Sequence, residues 1–460
     1  MLAPMLLAVT AAIAPPSVHS VSDISQQFSF YMDGRFHRQY LQDDAKDVRN
    51  WGSLSKLDLT NANLLVLTGG DSRIPYDEGA RRTIHRFLES GGTVLMMADG
   101  AASPRPGAAV VERYGATLLD EAPKQPLTGT RRLDGEEIEF RRGRVMRLDD
   151  SWSPLVVDAD QRPVLAHRTV GDGHLLLGSR GLFGHRPDAS DPINASWVRP
   201  LLVAAASTKS VDPDRPHRRT WAEHTREMGP LIIEYHDGTE QFADGIVEVY
   251  HEVRPHMVAI TGVEPAPGMI KRLLVLPTGG GGFSSGARIA IGAWGGNFPE
   301  RRYPMVELVS HEAGHSWVLP YPEPLWNEPI ATYFGILVGR RLGMPEADKT
   351  FQRQVAKARK LDPELDSMDP QAEGAPRDLI WGKSYHVFEE LERRHGPGAM
   401  AKYFRTKRAV LEPGRSGYTM DDCVAVWSIA VDEDLFPWFR SLAFDVDRER
   451  TDLGSRVPGR

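Results

Sequence analysis

His311-Glu312-Ala313-Gly314-His315 is the stretch of this sequence best equipped for chemistry. On a helix, residues i and i+4 share a face, so His311 and His315 can turn two imidazoles toward one ion while Glu312 sits beside them. A catalytic zinc takes three protein ligands and leaves a fourth position to water. Glu328, thirteen residues after His315, is the candidate third ligand. Such a set would carry out metal-assisted hydrolysis, with Glu312 as general base. A five-residue match of this kind also arises by chance. The second segment, Trp326-Asn327-Glu328-Pro329-Ile330-Ala331-Thr332-Tyr333, therefore carries much of the weight.

The flanking residues predict how these groups are held. Pro304 suits the first turn of a helix, where its missing N–H costs nothing. Val306, Val309, Ala313 and Trp317 form an apolar stripe from which His311 and His315 project away. Gly314 is costly inside a helix, which predicts a close neighbour there, such as the helix carrying Glu328. Pro320, Pro322 and Pro324 end the first helix. A second is expected from Trp326 to Leu337, with Asn327 as its cap and Glu328 in its first turn.

These two segments together resemble the gluzincin metallopeptidases, whose third zinc ligand is a Glu inside an (N/S)-E-x-x-A-x-Y segment on the next helix. The short interval between His315 and Glu328 is similar to that of the enhancin and mucin-degrading branch. The resemblance implies a thermolysin-like domain, Zn2+ held by His311, His315 and Glu328, and peptide-bond hydrolysis with Glu312 as base. It also implies that the short strand Ala287–Gly292 borders the cleft and grips extended substrate by strand addition. Aminopeptidase members carry a G-x-M-E-N segment in this region. Here the glycines 279–282, Phe283, Ser284 and Ser285 replace it, which favours endopeptidase cleavage. The oxyanion donor of the aminopeptidase branch is a Tyr in a Y-x-K-G segment. Trp381-Gly382-Lys383 matches at Lys383 but sets Trp381 in the Tyr position, so Tyr385, one turn further on, is the candidate. Tyr385 as a packed helix residue remains the alternative.

Upstream lies a different pattern. Ala62–Gly70 reads as a buried strand, Tyr76–Ser90 as a helix with Ala80, Ile84, Phe87 and Leu88 on its apolar side, and Thr93–Ala98 as another buried strand. Strand, helix, strand with glycine joints is a parallel βαβ unit. Gly173–Gly178 is a later strand and Asn194–Ala206 a closing helix. Residues 25–207 resemble the class I glutamine amidotransferase-like α/β domains, notably at Leu64–Gly70 and Glu89-Ser90-Gly91-Gly92-Thr93-Val94. No Cys occurs in this region, so the thiol chemistry of that family does not transfer, and a binding or structural role is expected. A ligand of such a sheet would sit near Gly69, Asp71 and Asp99. His85, beside the helix's apolar stripe, reads as an interface residue.

The whole chain sets limits on these readings. Its 460 residues imply more than one domain. A net charge of −7 argues against a nucleic-acid binder. Cys423 is the only cysteine, which excludes an intrachain disulfide. Leu2–Ala14 is apolar but too short to span a bilayer comfortably, and no later run is long enough. With Val18 and Ser20 at a small-residue cleavage site, residues 1–20 read as a signal peptide that lacks a positive n-region, and secreted or periplasmic localisation is expected.

The resulting expectation is an α/β and α+β chain. A flavodoxin-like parallel-sheet domain at 25–207 is followed by a linker at 208–220, a thermolysin-like metallopeptidase domain at 221–446 and a frayed tail at 447–460. The expected function is zinc-dependent endopeptidase acting on extracellular proteins or glycoproteins, with no integral membrane segment in the mature chain. A zinc aminopeptidase, or a non-catalytic adhesion or scaffold protein stabilised by zinc, are the alternatives. An intact Glu312 argues against the last, because a structural site needs no base.

Overall fold

The computed structural model describes residues 18–23, 40–41, 45–50, 53–67, 76–97, 108–130, 133–141, 143–183, 192–215, 222–276, 281–292, 298–318, 321, 323–415 and 417–459. The chain is mixed α/β and divides into two units. The first runs to His224 and adds Tyr235–Asp237 and Leu276, and the second takes the remaining described residues.

In the first unit the strands are β1 (Val18–Asp23), β2 (Ala45–Asn50), β3 (Leu64–Leu67), β4 (Thr93–Met97), β5 (Ala116–Leu118), β6 (Thr128–Gly129), β7 (Met146–Leu148), β8 (Ser153–Val157), β9 (Pro163–Val170) and β10 (Gly173–Gly178). Its helices are α1 (Glu78–Glu89), α2 (Ala108–Glu112) and α3 (Ala195–Ala206). Strands β2-β1-β3-β4-β10 are parallel in that spatial order, and β9, β8 and β6 extend the sheet antiparallel. Alternate side chains supply two cores. Leu65, Leu67, Val94, Met96, Leu175 and Leu177 pack with Ile84, Phe87 and Leu88 of α1. Leu64, Val66, Leu95, Met97 and Leu176 pack with Trp197, Val198 and Leu202 of α3. Cover on both faces explains why these strands read as unbroken apolar runs.

Three expectations meet a different outcome or none here. Val18 and Ser20, read as a cleavage site, belong to β1 and are buried, so a cut after Ser20 would remove half of a sheet strand. The linker is anchored through its first part. Asn61 accepts from the Asp212 amide at 2.7 Å and donates to the Asp212 carbonyl at 3.1 Å and the Arg215 carbonyl at 3.3 Å. Gly69, Asp71 and Asp99 lie outside the described residues. His85 is an interface residue as expected, with Nδ1 3.0 Å from the Tyr114 hydroxyl.

The second unit has strands β11 (His224–Met228), β12 (Leu231–Tyr235), β13 (Arg272–Leu276), β14 (Gly282–Ser284) and β15 (Arg288–Gly292), in the sheet order β11-β12-β13-β15-β14. Its helices are α4 (Glu240–Thr261), α5 (Arg302–Val318), α6 (Asn327–Arg341), α7 (Pro345–Arg359), α8 (Arg377–His395), α9 (Ala399–Val410), α10 (Met420–Val431) and α11 (Phe436–Ser441). The stripe Val306, Val309, Ala313 and Trp317 is buried, and so are Ile330, Ala331 and Phe334 of α6. A Cβ on Gly314 would stand 2.7 Å from Phe334 Cδ2 and 3.4 Å from Ala331 Cα, so the glycine lets α5 and α6 approach, as its cost predicted.

Among the described residues the sheet edge is β14, not β15, which is paired on both sides. The glycines that disguise β14 as a loop are what let it pack closely. A Cβ on Gly282 would meet the Ala290 carbonyl at 2.4 Å and Glu312 Cγ at 2.8 Å. The tail is packed rather than frayed: Thr451 donates to Asp422 at 2.6 Å, and the Arg448 guanidinium bonds the Val457 and Gly454 carbonyls at 2.6 and 2.8 Å. Cys423 is buried in α10, which Thr419 opens with a capping box to Asp422. None of the described helices is long and apolar enough to cross a membrane.

Candidate metal centre

Helices α5 and α6 carry the site. His311 and His315 lie one turn apart on α5, and Glu328 sits in the first turn of α6, where the helix dipole favours a carboxylate. The three expected ligands converge. His311 Nε2 and His315 Nε2 are 3.2 Å apart, His311 Nε2 is 3.4 Å from Glu328 Oε2, and His315 Nε2 is 3.6 Å from Glu328 Oε1. A tetrahedral ion with ligands at about 2.0–2.1 Å sets ligand–ligand edges of about 3.4 Å. The donor triangle therefore has the size of one face of such a tetrahedron. Its donor set, two imidazoles and a carboxylate, is one that holds a divalent transition metal.

The protonation states of the free site follow from its surroundings. Burial lowers the pKa of the His315 imidazole, which keeps it neutral and available as a ligand. Burial acts on His311 the same way. There, the hydrogen bond to Glu328 and the charges of Glu312, Glu328 and Glu307 outweigh it and raise its pKa. The hydrogen bond from His311 in turn holds the Glu328 carboxyl below its ordinary value. Each of these two groups thus favours the charged form of the other. Glu312 stands outside the triangle, with Oε1 4.0 Å from His311 Nε2. Burial pushes its carboxyl up to about 7, Glu328 adding to the rise and His311 opposing it.

The groups behind the ligands are specific. Thr332 Oγ1 donates to the Glu328 carbonyl at 3.1 Å and lies 3.1 Å from His311 Nδ1. With its own proton committed, the hydroxyl accepts from Nδ1–H, which leaves the Nε2 lone pair facing the centre of the triangle. Asn327 is the first residue of α6 rather than its cap, and Trp326 occupies the cap position without a side-chain bond. The Asn327 side chain neighbours the His315 ring, yet His315 Nδ1 and Asn327 Oδ1 are both buried without a hydrogen bond of good geometry. Thr332 is one helical turn after Glu328, a spacing that sequence reasoning could have used and did not.

Tyr385, the candidate oxyanion donor, is packed inside the helical layer. It is 1% exposed, rests 5.6 Å from the Tyr333 ring, and burial pushes its phenol far above the ordinary value while the Thr332 hydroxyl opposes the rise. Its polar neighbour is therefore Thr332, which in turn lies against His311. Lys383, matched to the Y-x-K-G lysine, is wholly buried and bonds the Met368 carbonyl at 2.5 Å and Asp362 at 3.3 Å. Tyr333 donates to Glu389 at 2.8 Å and ties α6 to α8. A second donor group, Glu223, His224 and Asp237, is already occupied by a cation, since Lys56 pairs with both Glu223 and Asp237.

Comparison with known proteins gives a family match to part of the chain and a set of faint likenesses. Residues 37–183 match a family model described as "Domain of unknown function (DUF4350)", and the His311–Glu328 site lies outside that match. No curated protein matches the chain. Solved structures similar to it include the mmIFT52 N-terminal domain, at 15% identity over 36% of this chain and 87% of that one, with a TM-score of 0.29. Cytoplasmic Protein STM3548 from Salmonella typhimurium is 11% identical over 42% of this chain and 96% of its own, with a TM-score of 0.30. The exo-beta-1,4-mannosidase Op5Man5 from Opitutaceae bacterium strain TAV5 is 17% identical over 36% of this chain, with a TM-score of 0.26, and the match spans only 31% of that enzyme's length. Scores this low carry no assignment of fold or function.

Proposed function

We propose that the second unit is a zinc-dependent endopeptidase of the gluzincin, thermolysin-like class, and that the first is a flavodoxin-like, amidotransferase-like domain without catalytic activity. The spatial order β2-β1-β3-β4-β10 supports the second part, being the order of doubly wound flavodoxin-like sheets. The observation that carries the first part is the donor triangle of 3.2, 3.4 and 3.6 Å with Glu312 beside it and outside it.

His311, His315 and Glu328 would hold the ion. Bound zinc supplies a Lewis acid that acidifies water and polarises a carbonyl. Glu312 takes a proton from the attacking water and later delivers one to the leaving amine. Thr332 keeps His311 in the tautomer that offers Nε2, and Tyr385 steadies Thr332. The edge strand β14 presents main-chain groups next to Glu312 and can add a substrate strand, and Gly282, Phe283 and Ser284 offer no carboxylate to a free amino terminus. That favours cleavage within a chain over removal of its first residue. The resemblance to the enhancin and mucin-degrading branch makes extracellular proteins or glycoproteins the substrate class, reached by export of the chain.

Two variants test this reading. Glu312→Gln is expected to keep zinc at the wild-type stoichiometry and to lose cleavage of a protein substrate by at least about a hundredfold. His315→Ala should lose zinc and cleavage together. Blocking the amine of a test peptide should leave cutting intact. Zinc retained by wild type and Glu312→Gln with equal absence of cleavage would leave a metal-stabilised scaffold.

A further inference from the structure

Arg377 opens α8 and is exposed. Its guanidinium lies over the Trp381 ring, 4.5 Å from the centroid, and Trp381 is the residue that stands in the Tyr position of the Y-x-K-G segment. Arg377, Trp381 and Tyr385 are spaced i, i+4, i+8, so they line one face of α8 that leads toward Thr332 and His311. No carboxylate pairs with Arg377 among the described residues. Asp378, the acid next to it, is engaged by Lys357 at 3.2 Å and Gln354 at 3.3 Å. At the inner end of that face the Tyr385 ring packs 5.6 Å from the ring of Tyr333, the residue after Thr332.

A guanidinium stacked on an aromatic ring has its face occupied and its N–H edge open, and that edge matches a carboxylate with two parallel hydrogen bonds. Stacking also removes much of the rotamer freedom that an exposed arginine would otherwise lose on binding. We propose that Arg377 is a specificity-determining residue of this site and takes a carboxylate of the bound peptide, with Trp381 as its platform. The proposal rests on the reading of the site as one that binds peptides, and it does not require that the peptide be cut.

The test uses the full chain as the zinc-loaded Glu312→Gln protein, so that binding is measured without turnover. Calorimetry compares N-acetyl pentaglycine amide carrying a central Asp with its Asn counterpart, and N-acetyl pentaglycine as free acid with its amide. In at least one pair the carboxylate peptide is expected to bind about tenfold tighter. A gap in the first pair identifies an acidic side chain as the ligand, and a gap in the second identifies a C-terminal carboxylate. Arg377→Gln should abolish the gap and Arg377→Lys should keep part of it, with circular dichroism unchanged. Equal affinities within both pairs, no measurable binding, or a gap that survives Arg377→Gln would overturn the proposal. Cleavage by the wild type is scored separately. A protein that binds carboxylate peptides through Arg377 yet cuts nothing would refute the peptidase reading and leave this one standing.

Discussion

At the scale of single residues, the ligand geometry depends on a neutral hydroxyl. Thr332 touches no bound group, yet it selects the face that His311 offers, because its proton is spent on the Glu328 carbonyl. Removing the oxygen while keeping the shape tests this directly. Thr332→Val should fold normally and lose metal affinity by roughly 10–100-fold, the range seen when an outer hydrogen-bond partner of a ligand is lost. Competition with a chelator of known affinity measures it, and an unchanged affinity would show that His311 is held by packing alone. Tyr385 provides a contrast. A donor to the oxyanion would cost about 100- to 1,000-fold in kcat when removed. A phenol buried behind Thr332 should cost less than about tenfold, so the kcat of Tyr385→Phe separates the two roles.

At the scale of elements, the connection between α5 and α6 must be rigid if Glu328 is to meet the two histidines. Glu323 lies in that connection and is buried. It accepts from Tyr403 at 2.7 Å and pairs with Lys407, both on α9. Breaking a buried pair strands a charge and costs about 3–5 kcal/mol, whereas replacing both members with apolar residues costs far less. Glu323→Leu alone should therefore lower the melting temperature more than Glu323→Leu with Lys407→Met, and the reverse order would deny the pair its role. Asp362 does a similar task between α7 and α8, accepting from Ser367, Met368 and Lys383. Burial alone would raise its carboxyl, but these bonds outweigh it and hold the pKa near 2. A depressed folded pKa gives stability that is present above about pH 4 and lost as pH falls toward 2, with a slope of at most about 1.4 kcal/mol per pH unit. Asp362→Asn should flatten that part of the acid-stability curve. These elements also show what was legible. β10 appears in the sequence at its observed bounds, and α5 and α6 within a few residues of theirs, because local periodicity and caps define them. β14 was hidden because its approach is glycine, which carries no side-chain pattern. The ligand set could be read because i, i+4 spacing is local. The arrangement of Thr332, Tyr385 and Arg377 could not, because it depends on how α8 packs against α6.

At the scale of the whole molecule, the first unit packs its own two clusters on either face of its sheet, and the candidate metal ligands belong to the second. An ion that binds the folded form stabilises whatever unfolds together with its ligands, by about 4 kcal/mol when its concentration is a thousand times its dissociation constant. For a unit of roughly 200 residues that corresponds to a rise in melting temperature of roughly 10 °C. If the units unfold independently, calorimetry of the full chain should show two transitions, and zinc should raise only one of them. Chelation should bring that transition back down. His315→Ala should abolish the response while leaving the other transition at its wild-type temperature. A shift of both transitions in parallel would mean that the units unfold as one. No shift in either would mean that His311, His315 and Glu328 do not hold zinc, and the proposed chemistry would fall with that result. Glu312→Gln separates metal binding from activity on this scale too. It should respond to zinc as the wild type does, because Glu312 stands outside the donor triangle.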